Sequence, residues 1–84
     1  MKSIQELFDN WQNYGFMASG RCVPFNALFR SVSWHPVLQE IIIFEIDDFN
    51  RMFFKLNDQG DICTVNIDSP HAECQISPVV KISD

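Results

Sequence analysis

A small set of side chains in this sequence could bind a metal ion or pair a nucleophile with a base. Only His71 and Cys74 have the short separation typical of zinc ligands, and no second close pair completes a four-ligand set. No glycine-rich turn frames a cysteine as a catalytic nucleophile. We therefore predict no catalytic residue, no metal ion and no cofactor, and we expect that the protein is not an enzyme. The residues considered are Cys22, His35, Cys63, His71 and Cys74.

Aspartates are concentrated where the sequence predicts turns. Asp47 and Asp48 lie between the first two predicted strands, and Asp68 follows the third. In an antiparallel meander these positions fall at the same end of the sheet. Turns favour aspartate for local reasons, but clustered carboxylates can also bind lysine or arginine of a partner. We predict a candidate acidic patch made of Asp47, Asp48 and Asp68.

Three extended runs must position these turns. They are rich in β-branched and aromatic residues, and apolar and polar positions alternate along them, which favours strands over helices. The polar segment before the third run contains Gly60, which indicates a hairpin turn. The predicted strands span residues 38–47, 51–57 and 61–67.

The alternation also predicts how the strands pair. Keeping the apolar sets on one face places Phe44 opposite Phe54, and Phe54 opposite Val65. The other face then carries a mixed set whose apolar members would mark an association surface if nothing covers them. The tail, the second helix or the segment around Trp34 could provide such a cover. The candidate partner-binding face comprises Ile41, Ile43, Glu45, Phe53 and Ile62.

The N-terminal region predicts a helix that would pack on this sheet. Residues 3–6 have the sequence of a capping box, in which Ser3 and Glu6 accept hydrogen bonds from each other's backbone N–H groups. Apolar residues then recur at helical spacing as far as Tyr14, and Gly15 supplies the stop.

Two weaker patterns complete the predicted architecture. A short helical pattern follows Pro24 and extends to Val32, and the tail at 73–82 alternates around Pro78 like an edge strand. We predict an α+β fold with one or two N-terminal helices packed on one face of a three- to four-stranded antiparallel β-meander. Residues 1–84 are expected to form a single compact α+β domain.

Aromatic residues suggest an alternative kind of site. A small-molecule pocket between the helices and the sheet would be lined by Trp11, Tyr14, Phe25 and Trp34. Aromatic rings at helical spacing belong to a plain core more often than to a pocket, so this interpretation ranks second.

Composition and charge exclude several classes of function. The apolar share is 46%, with eight phenylalanines, so general disorder is excluded. The net charge of −5 and the scattered basic residues argue against nucleic acid and anionic membranes, and they favour a basic partner. A chain of this length buries a modest core, which makes a homodimer plausible.

The expected location is cytoplasmic. The first residues lack the pattern of a signal peptide, and three cysteines without a framework of spacings suit a reducing compartment. We therefore expect a small acidic cytosolic protein-interaction module that binds a basic protein partner. Inhibitors and immunity-type proteins are examples of this class. The alternative is a small-molecule-binding domain that uses the aromatic pocket.

Overall fold

A computed structural model describes residues 3–66, 68 and 74–83. Within them, one short N-terminal helix accompanies an antiparallel sheet of three strands and another of five, so the expected α+β class is confirmed. The sheets are larger than the predicted meander of three to four strands. No helix in these ranges is long and apolar enough to cross a membrane. The elements are α1 Ile4–Asn10, a 3-10 turn Trp11–Asn13, β1 Tyr14–Ala18, β2 Arg21–Pro24, α2 Phe25–Leu28, β3 Ser31–Trp34, β4 Ile42–Glu45, β5 Arg51–Leu56, β6 Ile62–Val65, β7 Gln75–Ile76 and β8 Val79–Lys81.

Helix α1 begins as predicted and ends earlier. The Ser3 hydroxyl oxygen accepts a hydrogen bond from the Glu6 N–H at 3.1 Å, which is the expected N-cap. The prediction that the helix reaches Tyr14 and stops at Gly15 is wrong, because both residues lie in β1. That strand pairs with β2 on one side and β8 on the other, and the pairing overrides the helical spacing.

The hairpin between β1 and β2 explains why a strand forms here. Ser19 and Gly20 have φ values of 52° and 75°, and they separate the facing pair Ala18 and Arg21. Two central residues with positive φ define a type I′ turn, whose twist matches that of two antiparallel strands. This turn closes β1 and β2 into a ribbon, and β8 completes the three-stranded sheet β2-β1-β8.

The second predicted helix is reduced to one turn. Helix α2 occupies Phe25–Leu28 directly after Pro24, and Val32 belongs to strand β3 instead of the helix. Along β3 the serines are exposed while Val32 and Trp34 are half-buried, which is the alternation of a strand with one buried face. This strand is one edge of the five-stranded sheet β3-β4-β5-β6-β7.

The central hairpins form with registers that differ from the predicted ones. Strand β4 covers only residues 42–45 of the predicted 38–47, and Phe44 pairs with Met52 instead of Phe54. This shift of two residues keeps the paired side chains of the two strands on their predicted faces. Phe54 pairs with Thr64 instead of Val65, a shift of one residue that exchanges the two faces of β6. Ile62 consequently turns into the core.

A disulfide links the fourth and fifth strands of this sheet. Cys63 in β6 is bonded to Cys74, which precedes β7, while Cys22 is free and exposed. The argument for a reducing compartment from unpaired cysteines is therefore wrong for two of the three. In the observed register Cys63 is fully buried and pairs with Lys55, and it is not a member of the main core cluster.

The core lies between the two sheets and is dominated by phenylalanine. The Phe25 ring is fully buried, and its centroid lies 4.6 Å from that of Phe16 and 5.2 Å from those of Phe29 and Phe44. Tilted and edge-to-face pairs of this kind add to the gain from burial alone. The buried members of this cluster are Leu7, Tyr14, Phe25, Phe29, Ile42, Phe44, Phe54 and Ile62.

Candidate interaction surface

The loop between β4 and β5 is held by one carboxylate. Asp47 Oδ1 accepts hydrogen bonds from the N–H of Phe49 at 2.8 Å, from the N–H of Asn50 at 2.9 Å and from the side-chain amide of Asn50 at 2.9 Å. The Asn50 side chain, followed by the Phe49 N–H, lowers the pKa of Asp47 below its usual range. The loop is therefore most ordered when Asp47 is ionised.

Phe49 stands at the tip of this ordered loop. Its side chain is 92% exposed, more than any other large apolar side chain in the described part of the chain. Ile46, at the start of the same loop, is also partly exposed. Because the ring of Phe49 stays in water, it contributes little to the hydrophobic core. The pair Ile46 and Phe49 is named here the hairpin tip.

Charged side chains flank the hairpin tip and are already paired with one another. The Arg30 guanidinium donates to Glu45 at 2.7 Å and to the Asp48 carboxylate, while Arg51 donates to Glu45 at 3.2 Å. All of these groups are exposed or partly exposed, so the ion pairs contribute little to stability. They orient the side chains beside Phe49.

The predicted acidic patch differs from this arrangement in an important way. The Asp47 carboxylate accepts hydrogen bonds within its own loop, and the Asp48 carboxylate forms an ion pair with Arg30. Both carboxylates therefore already have partners within the protein. Asp68 follows β6, which ends beside β5 near the hairpin tip, and its N–H is held by the Asn66 side chain at 2.9 Å. His71, one of the metal-ligand candidates, lies outside the described residues.

The outer face of the five-stranded sheet retains part of the predicted set. Ile43 and Phe53 are directly opposite one another, Val65 continues the row on β6, and all three are half-buried. We name this row the outer row. Two predicted members are wrong as surface residues, since Ile41 is 1% exposed and Ile62 is 6% exposed and packs in the core. Glu45 lies on the same face and forms ion pairs there.

The four aromatic residues of the alternative pocket do not form a common site. Phe25 and Tyr14 are buried in the core, Trp11 packs edge-on against Phe44 at 5.8 Å, and Trp34 stacks on Phe8 at 4.8 Å. The four residues therefore do not line one pocket, and the prediction of a single aromatic pocket between helices and sheet is wrong.

Three of the other chemical candidates have structural roles, whereas Cys22 is a free, exposed thiol. His35 Nδ1 accepts from the N–H groups of Val37 and Leu38 at 3.1 and 2.9 Å, which holds the turn after β3. Cys63 and Cys74 are joined as a disulfide. Among the residues that the structure describes, no group of three histidine, cysteine, aspartate or glutamate side chains is arranged to hold a metal ion.

The hairpin tip was missed in the sequence because aspartate and asparagine around Phe49 indicated only a polar turn. The useful signal was an aromatic residue inside a segment whose neighbours are all turn formers. Comparison of the chain with protein-family models, with curated proteins and with solved structures finds no match to any of them.

Proposed function

We propose that this protein is a small acidic interaction module that docks on a basic protein partner through the hairpin tip, with the outer row beside it. The observation that carries this proposal is the exposure of Phe49 on a loop that Asp47 keeps ordered. Binding energy at protein interfaces is concentrated in a few residues, and aromatic side chains in pockets are prominent among them.

The ordered loop favours such a contact energetically. Full burial of a phenylalanine side chain contributes about 2 to 3 kcal/mol. A flexible loop would lose part of that gain when it became ordered on binding. Here the hydrogen bonds of Asp47 have already restricted the backbone of Phe49. The partner surface that fits this arrangement has an apolar pocket large enough for one aromatic ring.

Charge supports the choice of a basic partner. The chain carries a net charge of −5, so its field attracts a cationic surface and accelerates association at low ionic strength. Close to the ring, Asp48 is shared with Arg30, and a basic side chain of the partner can compete for it. Inhibitors and immunity-type proteins work by such docking, and we place this chain in that functional class as a proposal.

We propose a role in binding and not in catalysis. We propose a cytoplasmic location, although the Cys63–Cys74 disulfide is more typical of oxidising compartments. The number of free thiols in protein taken directly from its cells decides between the two.

The direct test compares two substitutions of exposed apolar residues. Phe49→Asp and Val37→Asp make the same chemical change, and Val37 is 78% exposed in a loop at the opposite end of β4. We expect the free energy of unfolding of both variants to stay within about 0.5 kcal/mol of that of the parent chain, because neither side chain is packed. In affinity capture from the source cells, a partner retained by the parent and by Val37→Asp should be lost with Phe49→Asp.

Two results would contradict the proposal. Equal capture by Phe49→Asp would show that the ring is not the anchor, and marked unfolding of that variant would show that Phe49 is structural. Self-association is the competing possibility. Light scattering over a wide dilution range should show a monomer, whereas a stable dimer broken by Phe49→Asp would make a second copy the occupant.

A further inference from the structure

A second surface feature lies at the seam between the two sheets, away from the hairpin tip. It is a cleft of about 520 Å³ at the point where the chain leaves β7 in the larger sheet and enters β8 in the smaller one. Helix α1, strand β1 and the turn between β5 and β6 supply the other walls. The described residues that line it include Glu6, Tyr14, Asp61, Ile76, Val79 and Lys81.

A partly buried hydrogen bond lies in one wall of this cleft. The Tyr14 hydroxyl donates to Glu6 Oε1 at 3.3 Å, and the tyrosine is almost entirely buried. Burial of the phenol, followed by the charge of Glu6, raises the pKa of Tyr14, so the hydroxyl remains a donor. Because Glu6 accepts this bond with one oxygen, its second oxygen can accept a donor from a ligand.

A second carboxylate comes from a different element. Asp61 is exposed at the end of the turn between β5 and β6, and its N–H is held by Asn57 Oδ1 at 2.9 Å. Asn57 also accepts from the N–H of Gln59 at 3.0 Å, so the turn that presents Asp61 is ordered. The lining side chains thus include two carboxylates, together with the ammonium group of Lys81.

The same cleft exposes apolar surface. Ile76 in β7 is 65% exposed, and Val79 at the start of β8 is half-buried. An apolar residue on a strand as short as β7 gains little from folding while it stays in water. A ligand with an alkyl chain would cover this surface, while its cationic end would satisfy the carboxylates.

We propose that this cleft binds a small organic cation, an alkylammonium or alkylguanidinium, with its charged group between Glu6 and Asp61 and its alkyl chain against Ile76 and Val79. Anions are disfavoured because, among the described lining residues, two carboxylates outnumber one ammonium group. This site is separate from the proposed docking surface, since Gly60 and Asp61 lie at the end of β5 opposite the hairpin tip.

The test uses two probes of the same shape that differ in charge. Butylguanidinium is titrated into the folded protein at constant ionic strength and followed by amide shifts in two-dimensional NMR, and uncharged butylurea is the matched control. We expect saturable shifts at Gly60, Asp61, Ser77 and Val79 with the cation and none with the urea. Loss of a charge-assisted hydrogen bond in Glu6→Gln or Asp61→Asn should weaken binding by about tenfold or more.

A matched variant separates the site from the general acidity of the protein. Asp58→Asn removes the same charge from the same turn, and Asp58 does not line the cleft. It should leave the affinity within about twofold, because exposed charges are screened.

Three results would overturn the proposal: equal weakening by Asp58→Asn, equal shifts with butylurea, or no saturable shift with butylguanidinium. Calcium that gives the same shifts and displaces the guanidinium would also overturn it, in favour of an inorganic cation. Phe49→Asp should have no effect here, so the two proposals can fail independently.

Discussion

At the residue scale, Asp47 and Phe49 have complementary roles in the loop between β4 and β5. Asp47 uses its carboxylate within the loop, and Phe49 leaves its ring in water. The sequence predicted the first residue as part of an acidic patch and did not single out the second. Hydrogen bonds within a turn cannot be read from residue types alone, because the same aspartate can be solvated, capped or paired.

Protonation of Asp47 should loosen the loop. Its folded-state pKa is lowered, so its contribution to loop stability is complete above the usual aspartate value of 3.8 and is lost as the pH falls through the lowered value. We predict that the Asp47 carboxyl carbon titrates below 3.8 in an NMR experiment. Replacement of the main donor in Asn50→Ala should raise that midpoint. A midpoint at or above the usual value would show that the loop is not held in this way.

At the element scale, the turns decide what the strands can do. The alternation predicted the two strands and the faces of their paired residues, and Ile43 and Phe53 indeed share one face. It predicted the first strand too long, because Ile41 and Ile46 lie outside β4. It could not fix the register of β6, because that depends on the turn organised by Asn57 and on the disulfide at Cys63. A shift of one residue therefore moved Ile62 from the predicted surface into the core.

Strand β1 was missed for a related reason. Helical spacing continues from Ile4 to Tyr14, and a pattern of that kind does not say where the helix ends. Pairing with β2 and β8 decides it, and β8 lies at the far end of the sequence. The Ser19-Gly20 turn was the local signal that could have revealed the hairpin.

Gly15 offers a test of this arrangement. A Cβ at this position would lie 2.7 Å from the Val23 carbonyl oxygen, which belongs to the backbone of β2 and cannot turn away. We predict that Gly15→Ala lowers the free energy of unfolding by about 1 to 3 kcal/mol, measured by urea denaturation. Ser33→Ala, at an exposed position in β3, should change it by less than about 0.5 kcal/mol. Equal stabilities of the two variants would contradict the pairing of β1 with β2.

At the scale of the whole molecule, the fold depends on a core between two sheets and on one covalent link. Composition predicted a folded acidic protein, the strand and helix patterns predicted the α+β class, and the structure agrees with that class. The disulfide could not be predicted, because three cysteines permit several pairings and only the packing of β6 against β7 brings two together.

Reduction should therefore weaken the fold. Opening the link between Cys63 and Cys74 releases a constraint on the unfolded chain, and we predict a loss of about 2 to 3 kcal/mol in the free energy of unfolding. Urea denaturation with and without reductant measures this loss. The Cys22→Ser variant should lose as much stability on reduction as the parent chain, because Cys22 is not part of the disulfide. Thiol titration of the unreduced, denatured protein should find the single free thiol of Cys22. Titration of all the cysteines under these conditions would show that the bond does not form.

The most direct test of the docking surface is photo-crosslinking from position 49. The photoreactive residue p-benzoylphenylalanine replaces Phe49 in one version of the protein and Val37 in another, since both positions are exposed. On irradiation in the source cells, we predict an adduct with one other protein from position 49 alone. Excess parent chain should compete for this adduct, and Phe49→Asp should not. Equal adduct yields from both positions, or an adduct with only a second copy of this chain, would contradict this prediction.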